Sequence, residues 1–521
     1  MYTVSLLHSK IINHVKAFTR VLIYLPLICM VSCELNSDSS KPASDRPTAY
    51  EANWKSLSTH NEAPEWLQDA KLGIYFHWGV YTVPAYDNEW YARKMYLPEE
   101  SAFQHHKKNY GDQSDFGYHD FIPQFTAEKF DAEEWVDLFA KAGAKFAGPV
   151  AQHHDGFAMW DSEVNPWNVA DKGPKKDITG ELSKALKKRD MKLITTFHHA
   201  RNLQRNADNP DYWDGYNSHF PYSPDYHTSS KDPELSKLYG NISEEEFNQY
   251  WSDQINEVIN QYQPDMIWFD SWLNFMPKNR VLNMCADYFN AAAKTGQDVT
   301  IGYKQWDLPK EVGIQDIEQG GRRDITERPW MTDITLSNKS WCYVEGQTYR
   351  PAELVIRNLI DVVSKNGVVL LNVSPKADGS ISQEQRDILL KMGAWFDKYG
   401  EAIYATRPWD LFGFGDAKAG EGTHGGQSSK VEYTANDIRF TQSKDEKSLY
   451  MILLGKPDVG HVVSQRLMAK HRYAPHTKIK RITLLGTDTE VVFNHHDDGF
   501  ELTIPDAPMD EMATVFKFEL E

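Results

Sequence analysis

Five short apolar runs along this chain each give way to residues that can hold or move a proton. Gly73-Ile74-Tyr75-Phe76 leads into His77-Trp78-Gly79, and Lys145 to Val150 is followed by His153-His154-Asp155-Gly156. Lys192 to Phe197 leads into His198-His199-Ala200-Arg201, Met266 to Phe269 into Asp270, and Val299 to Tyr303 into Lys304. A single histidine after a strand is ordinarily a satisfied structural group, so none of these carries weight alone; five together point to one pocket. Two chemistries use imidazoles and carboxylates gathered in this way. A zinc or manganese hydrolase would coordinate its metal through them and lower the pKa of a bound water. Against it stand the lack of any His-x-His or His-Glu-x-x-His spacing and the abundance of aromatic rings. A glycosidase instead places two carboxylates about the scissile bond, one to protonate the leaving oxygen and one to attack or to activate water. Neutral imidazoles, with Glu89 and Trp90, would then hold ring hydroxyls and an apolar sugar face. The second chemistry fits better, with Asp270 as its central carboxylate and no metal or other cofactor.

The elements that must position these residues alternate in type. Asp131 and Glu134 form a capping-box pattern ahead of apolar Trp135, Leu138 and Phe139, which predicts a helix leading to the second strand. Further helices are predicted over Asp177 to Lys188, Ser243 to Tyr262, Arg280 to Lys294, Ala352 to Ser364 and Gln383 to Tyr399, with a strand over Val368 to Val373. Seven or eight such units imply a (β/α)8-like barrel with its site at the carboxyl ends of the strands, the sixth and seventh units being blurred between Pro309 and Val344. Beyond Arg407 helical periodicity gives way to short alternating runs, the pattern of a C-terminal antiparallel β-sandwich. The Gly-rich segment from Gly415 to Gly426 reads as a mobile connection. The predicted organisation is a signal over 1–32, a tether over 33–60, the barrel over 61–404 and the sandwich over 405–521.

Composition bounds the partners. A formal charge of −18 disfavours nucleic acid and anionic membrane surfaces. The 16 Trp and 26 Tyr exceed what packing alone usually requires, and aromatic faces suit the C–H faces of sugar rings. Lys10, Lys16 and Arg20 precede an apolar run from Val21 to Val31 that is too short to span a bilayer comfortably, followed by Ser32-Cys33. This resembles a bacterial lipoprotein signal with Cys33 as the acylated first residue, the alternative being a plain secretory signal with an incidental Cys. Export to the periplasm or anchorage at the outer membrane follows, with membrane contact through the lipid only. Once the signal is removed, Cys285 and Cys342 remain besides Cys33, which indicates neither a disulfide framework nor a thiolate metal site.

The segments KLGIYFHWGVYTVPAYDNEWY, AQHHDGFAMWDS, MIWFDSW and SKNGVVLLNVSPKADGSI resemble those of α-L-fucosidases of glycoside hydrolase family 29, over roughly Glu65 to Tyr404. The resemblance implies a retaining mechanism acting on a fucose-containing glycan, with Asp270 as nucleophile, His77, His153 and His154 on sugar hydroxyls, and Glu89 and Trp90 completing the pocket. Three positions depart from the family pattern. Ser271 stands where many relatives have Gly, and His198-His199 where some have Tyr, so either histidine is a candidate contact, as is Lys304. Trp330-Met331 stands where one branch carries its acid/base in a Trp-Glu pair. Another branch resembles the segment DIEQGG, which makes Glu318 the first candidate acid/base and Glu327 the second. Two rival readings are a related α-L-galactosidase-type specificity and a noncatalytic sugar-binding lipoprotein.

Overall fold

The computed structural model describes residues 49–205, 217–271, 273–417, 431–465, 478–487, 489–496 and 499–521. The signal, Cys33 and most of the tether lie outside them, as do residues 418–426 of the Gly-rich connection. The tether as expected runs too far: by residue 50 the chain is already packed, with Tyr50 and Leu57 buried against the helix Lys278–Thr295.

Eight parallel strands close into a barrel in sequence order: β1 Leu72–Phe76, β2 Phe146–Gln152, β3 Lys192–Phe197, β4 Met266–Phe269, β5 Thr300–Lys304, β6 Ile314–Asp316, β7 Trp330–Thr335 and β8 Gly367–Val373. Every residue of β1, β2, β4 and β8 is buried, as expected where helices cover one face and the barrel interior the other. The interior is filled by inward side chains including Tyr75, Val150, Ile194, Trp268, Ile314, Met331 and Leu370. Helices such as Ala132–Lys141, Ile178–Lys188, Glu244–Tyr262 and Lys278–Thr295 lay apolar faces on the outside. Asp131 does cap the first of these, accepting the N–H groups of Glu133 and Glu134.

The blurred sixth and seventh units have a physical cause. Neither the segment from β5 to β6 nor that from β6 to β7 forms an α-helix, and both are turns and loops rich in Gly, Pro and charge. The barrel therefore has eight strands but lacks the helices that follow its fifth and sixth.

The chain then enters an antiparallel region made of β9 Thr406–Phe414, β10 Ile438–Ser443, β11 Ser448–Leu453, β12 Val462–Gln465, β13 Ile479–Leu484, β14 Phe493–His496, β15 Gly499–Thr503 and β16 Thr514–Leu520. These form a five-stranded sheet, β13-β16-β11-β10-β9, and a three-stranded sheet, β12-β15-β14. One apolar cluster takes Phe440, Met451 and Phe518 from the first and Val463, Phe500 and Leu502 from the second, so the sheets pack face to face. A buried ion pair ties this region to the barrel: Arg439 Nε on β10 lies 2.6 Å from Asp361 Oδ1 on the helix Ala352–Ser364, and Lys365 Nζ lies 2.9 Å from the same oxygen.

Candidate active site

Strand register brings the site together. Phe197 on β3 pairs with Phe269 on β4, which pairs with Tyr303 on β5, so the next residues along, His198, Asp270 and Lys304, stand side by side at one end of the barrel. Lys304 pairs in turn with Asp316 on β6, and Glu318 follows two residues later. This is the carboxyl end of the parallel strands, where such barrels carry their chemistry.

Asp270 is held as an anion. Lys304 Nζ lies 2.9 Å from its Oδ1, His198 Nδ1 lies 3.3 Å from Oδ2, and His154 Nε2 lies 3.6 Å from the same oxygen. Burial favours the neutral acid, but Lys304 and His198 outweigh it and keep the carboxyl well below the usual carboxylate range. Its side chain is 21% exposed, whereas those of Lys304, His154 and His198 are nearly covered, so of these four it is Asp270 that solvent reaches. Ser271 behind it has φ +56, a conformation that favours glycine. Ser271 therefore meets with some strain a backbone requirement that a glycine would meet freely.

Lys304 also binds Glu318 Oε2 at 2.8 Å and faces Asp333 Oδ2 at 3.5 Å. Two oxygens that are 2.9 and 2.8 Å from one nitrogen can be no farther apart than those lengths end to end, about 5.7 Å. Retaining glycosidases separate their carboxyl groups by roughly 5–5.5 Å. Burial works against the ammonium, but Asp270, Asp333 and Glu318 hold its pKa well above that of an ordinary lysine. Beneath it, Tyr75 Oη donates to Asp333 Oδ2 at 3.0 Å. Burial and then mutual repulsion push Asp316 upward, while burial also raises Asp333 despite the opposing Lys304. Asp316 and Asp333 thus form a buried pair of acids, each with its carboxyl pushed toward the neutral form.

The imidazoles of His77, His153 and His154 are neutral. His77 Nδ1 donates to Asn372 Oδ1 at 2.8 Å and its backbone N–H to the same oxygen, which leaves Nε2 as an acceptor. Burial pushes His77 down to about 3, burial followed by neighbouring rings holds His153 well below the ordinary histidine range, and burial holds His154 there against the Asp270 charge. His154 Nδ1 donates to the carbonyl of His198. The rings of His77, His153 and His198 lie with centroids 4.9 to 5.6 Å apart. The neutral rings of His77 and His153 can accept from or donate to hydroxyls without adding charge beside Asp270.

Trp90 forms a wall against His154 (centroids 5.2 Å) and His219 (5.6 Å), with the Arg201 guanidinium 4.3 Å from its ring centre. Glu89 is buried, which raises its carboxyl pKa; it accepts from Ser340 Oγ and Trp341 N–H, each at 3.2 Å. Trp341 lies 5.4 Å from the His77 ring and completes the enclosure.

Three sequence expectations change. Glu327 is exposed, and its carbonyl accepts from Asn366 just before β8, at the amino end of the strands, so it is at the opposite end of the barrel from Asp270. His199 points outward and stacks on Trp251 of a covering helix at 6.1 Å, leaving His198 as the pocket residue. Lys304, expected on the sugar, is engaged by three carboxylates. Sequence reasoning missed Asp316, Asp333, Asn372, Trp341, Arg201 and His219.

Two groups place possible metal-ligating atoms within 4.8 Å of one another, His77-His153-His198 and His154-His198-Asp270. Lys304 already pairs with the only carboxylate among them.

The model of the family "Alpha-L-fucosidase" matches residues 38–401, and that of "Alpha-L-fucosidase C-terminal domain" matches 431–521. The chain is 32% identical over 510 residues to the tissue alpha-L-fucosidase of Macaca fascicularis, covering 91% of each. It is 30% identical over 433 residues to the plasma alpha-L-fucosidase of Homo sapiens, covering 80% of this chain and 81% of that one. The crystal structure of Thermotoga maritima alpha-fucosidase in complex with fucose superposes with a TM-score of 0.70 at 27% identity, over 90% of this chain and all of that one.

Proposed function

Because the chain belongs to the alpha-L-fucosidase family of glycoside hydrolases, we propose that it hydrolyses terminal α-L-fucosides with retention, through a covalent glycosyl-enzyme on Asp270. The observation that carries this reading is the pairing of an ionised Asp270 with Glu318 across one ammonium, at no more than about 5.7 Å. An attacking carboxylate must be anionic at working pH, and the ion pair with Lys304 keeps Asp270 so. Glu318, 13% exposed at the same strand ends, is the group to protonate the departing oxygen and then to activate water. Met331, which replaces the Trp-Glu acid of one branch, is buried inside the barrel core. Glu318 supplies the carboxyl that a noncatalytic sugar binder would lack.

In the first step Asp270 attacks the anomeric carbon while Glu318 gives its proton to the glycosidic oxygen. In the second, Glu318 takes a proton from water as that water displaces Asp270. His77, His153, His154 and His198 orient the ring hydroxyls, and Trp90 covers the apolar side, where fucose carries its methyl group. Incubation with an aryl α-L-fucoside tests the reading: it predicts release of the phenol and of α-fucose as first-formed anomer, read by proton NMR. Faster turnover of the α-L-galactoside would move the substrate, and a β first product would exclude the mechanism.

The amino-terminal segment supports export and acylation at Cys33. Radiolabelled palmitate should enter the wild-type chain in a Gram-negative host and be lost in Cys33→Ser.

A further inference from the structure

Trp306 is 80% exposed, and among the described residues every other Trp, Tyr and Phe is buried or half-buried. A lone exposed apolar residue needs no explanation, but a whole indole left in water where every other described Trp, Tyr and Phe is at least half covered is unusual. Its position gives it meaning. It lies two residues beyond Lys304, whose Nζ is 2.9 Å from Asp270, on the turn that opens the β5–β6 connection.

That turn is fixed at both ends. Gln305 adopts φ +55, and its carbonyl accepts from Gln315 Nε2 on β6. Asp307 N–H donates to Lys304 O at 3.3 Å, while the Asp307 carboxylate accepts the N–H of Leu273, three residues after Asp270, at 3.3 Å. Burial, with a further contribution from the Asp270 charge, pushes Asp307 to about 6, which places its carboxyl in the same electrostatic environment as the reacting group. Trp306 is thus carried on a braced turn between the loops that bear Asp270 and Glu318.

The side of the pocket matters. A general acid must reach the glycosidic oxygen, so the leaving sugar departs on the side of Glu318. Glu318 follows β6, the neighbour of β5, and shares the Lys304 ammonium. Trp90 and Trp341 enclose the other sector, with the histidines.

We infer that Trp306 is a stacking platform for the sugar that leaves, so that this chain favours fucosides whose aglycone is itself a pyranose ring. The inference rests on the proposed fucoside hydrolysis. A neutral pyranose presents a C–H face to the indole, and the contact forms outside the fucose pocket, where it selects the aglycone.

The test compares two substrates in the full-length protein: the α-L-fucosyl disaccharide that the wild type cleaves fastest, and α-L-fucosyl fluoride, whose leaving group is one atom and cannot touch the ring. The readout is the ratio of kcat/KM for disaccharide to that for fluoride. Trp306→Ala should lower this ratio about tenfold, and Trp306→Tyr, which keeps an aromatic face, should restore most of it. An unchanged ratio in Trp306→Ala, whether both rates hold or fall together, overturns the platform. Failure of the wild type to hydrolyse fucosyl fluoride instead overturns the fucosidase reading on which it rests.

Discussion

Asp270 Oδ1 and Lys304 Nζ stand 2.9 Å apart, and the same nitrogen is 2.8 Å from Glu318 Oε2, so one buried cation serves both carboxylates of the site. This makes Lys304 an electrostatic support for the nucleophile and predicts its effect on pH dependence. The charge of Lys304 lowers the pKa of Asp270, and burial raises it. In Lys304→Met burial is less opposed, Asp270 protonates at higher pH, and the acid limb of kcat/KM moves upward by about one to three pH units. A pH–rate profile checks this; an unmoved acid limb would show that Lys304 does not set the charge of Asp270.

Glu318→Ala separates proton donation from everything else. For alkyl fucosides, whose leaving groups need a proton, kcat/KM should fall about 10²- to 10⁴-fold. For dinitrophenyl fucoside it should fall far less. Similar losses on both substrates would mark Glu318 as a bystander.

His199 tests the same physics away from the chemistry. Burial holds its folded pKa at about 3, against an ordinary 6.5. The unfolded chain therefore binds a proton that the folded one refuses, and the stability this provides is complete above pH 6.5 and lost progressively as pH falls toward 3. Each such histidine costs at most about 1.4 kcal/mol per pH unit in that window. His199→Phe keeps the aromatic contact with Trp251 and should flatten the decline by about that amount, measured by urea unfolding between pH 4 and 7.

Much of this was legible in the sequence because strand ends are. The helices Ala352–Ser364 and Gln383–Tyr399 coincide with their apolar periodicity, and each expected strand end carries a pocket residue. Three of the missed residues, Asp316, Asp333 and Asn372, follow one rule that the sequence does contain. Inward residues recur every second position along a strand, so two steps beyond an interior residue lies a pocket residue. Tyr75 leads to His77, Trp268 to Asp270, Ile314 to Asp316, Met331 to Asp333, and Leu370 to Asn372. The same parity selects His198, two beyond Thr196, over His199. Other features were not legible. Trp341, Arg201 and His219 sit on long connections whose paths depend on tertiary packing, and Glu327 was assigned to the wrong end of the barrel because β6 is three residues long and poorly marked.

Covalent trapping tests the central claim most directly. Incubation with 2-deoxy-2-fluoro-α-L-fucosyl fluoride should inactivate the protein with time, because the fluorine at C2 slows both steps while the good fluoride leaving group keeps formation of the intermediate faster than its hydrolysis. Mass spectrometry of the digested protein should then find one fluorofucosyl group, on the peptide containing Asp270 and on that carboxylate, with no adduct in Asp270→Asn. Inactivation with the label on another residue, or turnover of fucosides with no adduct and an inverted product, would contradict the assignment of Asp270.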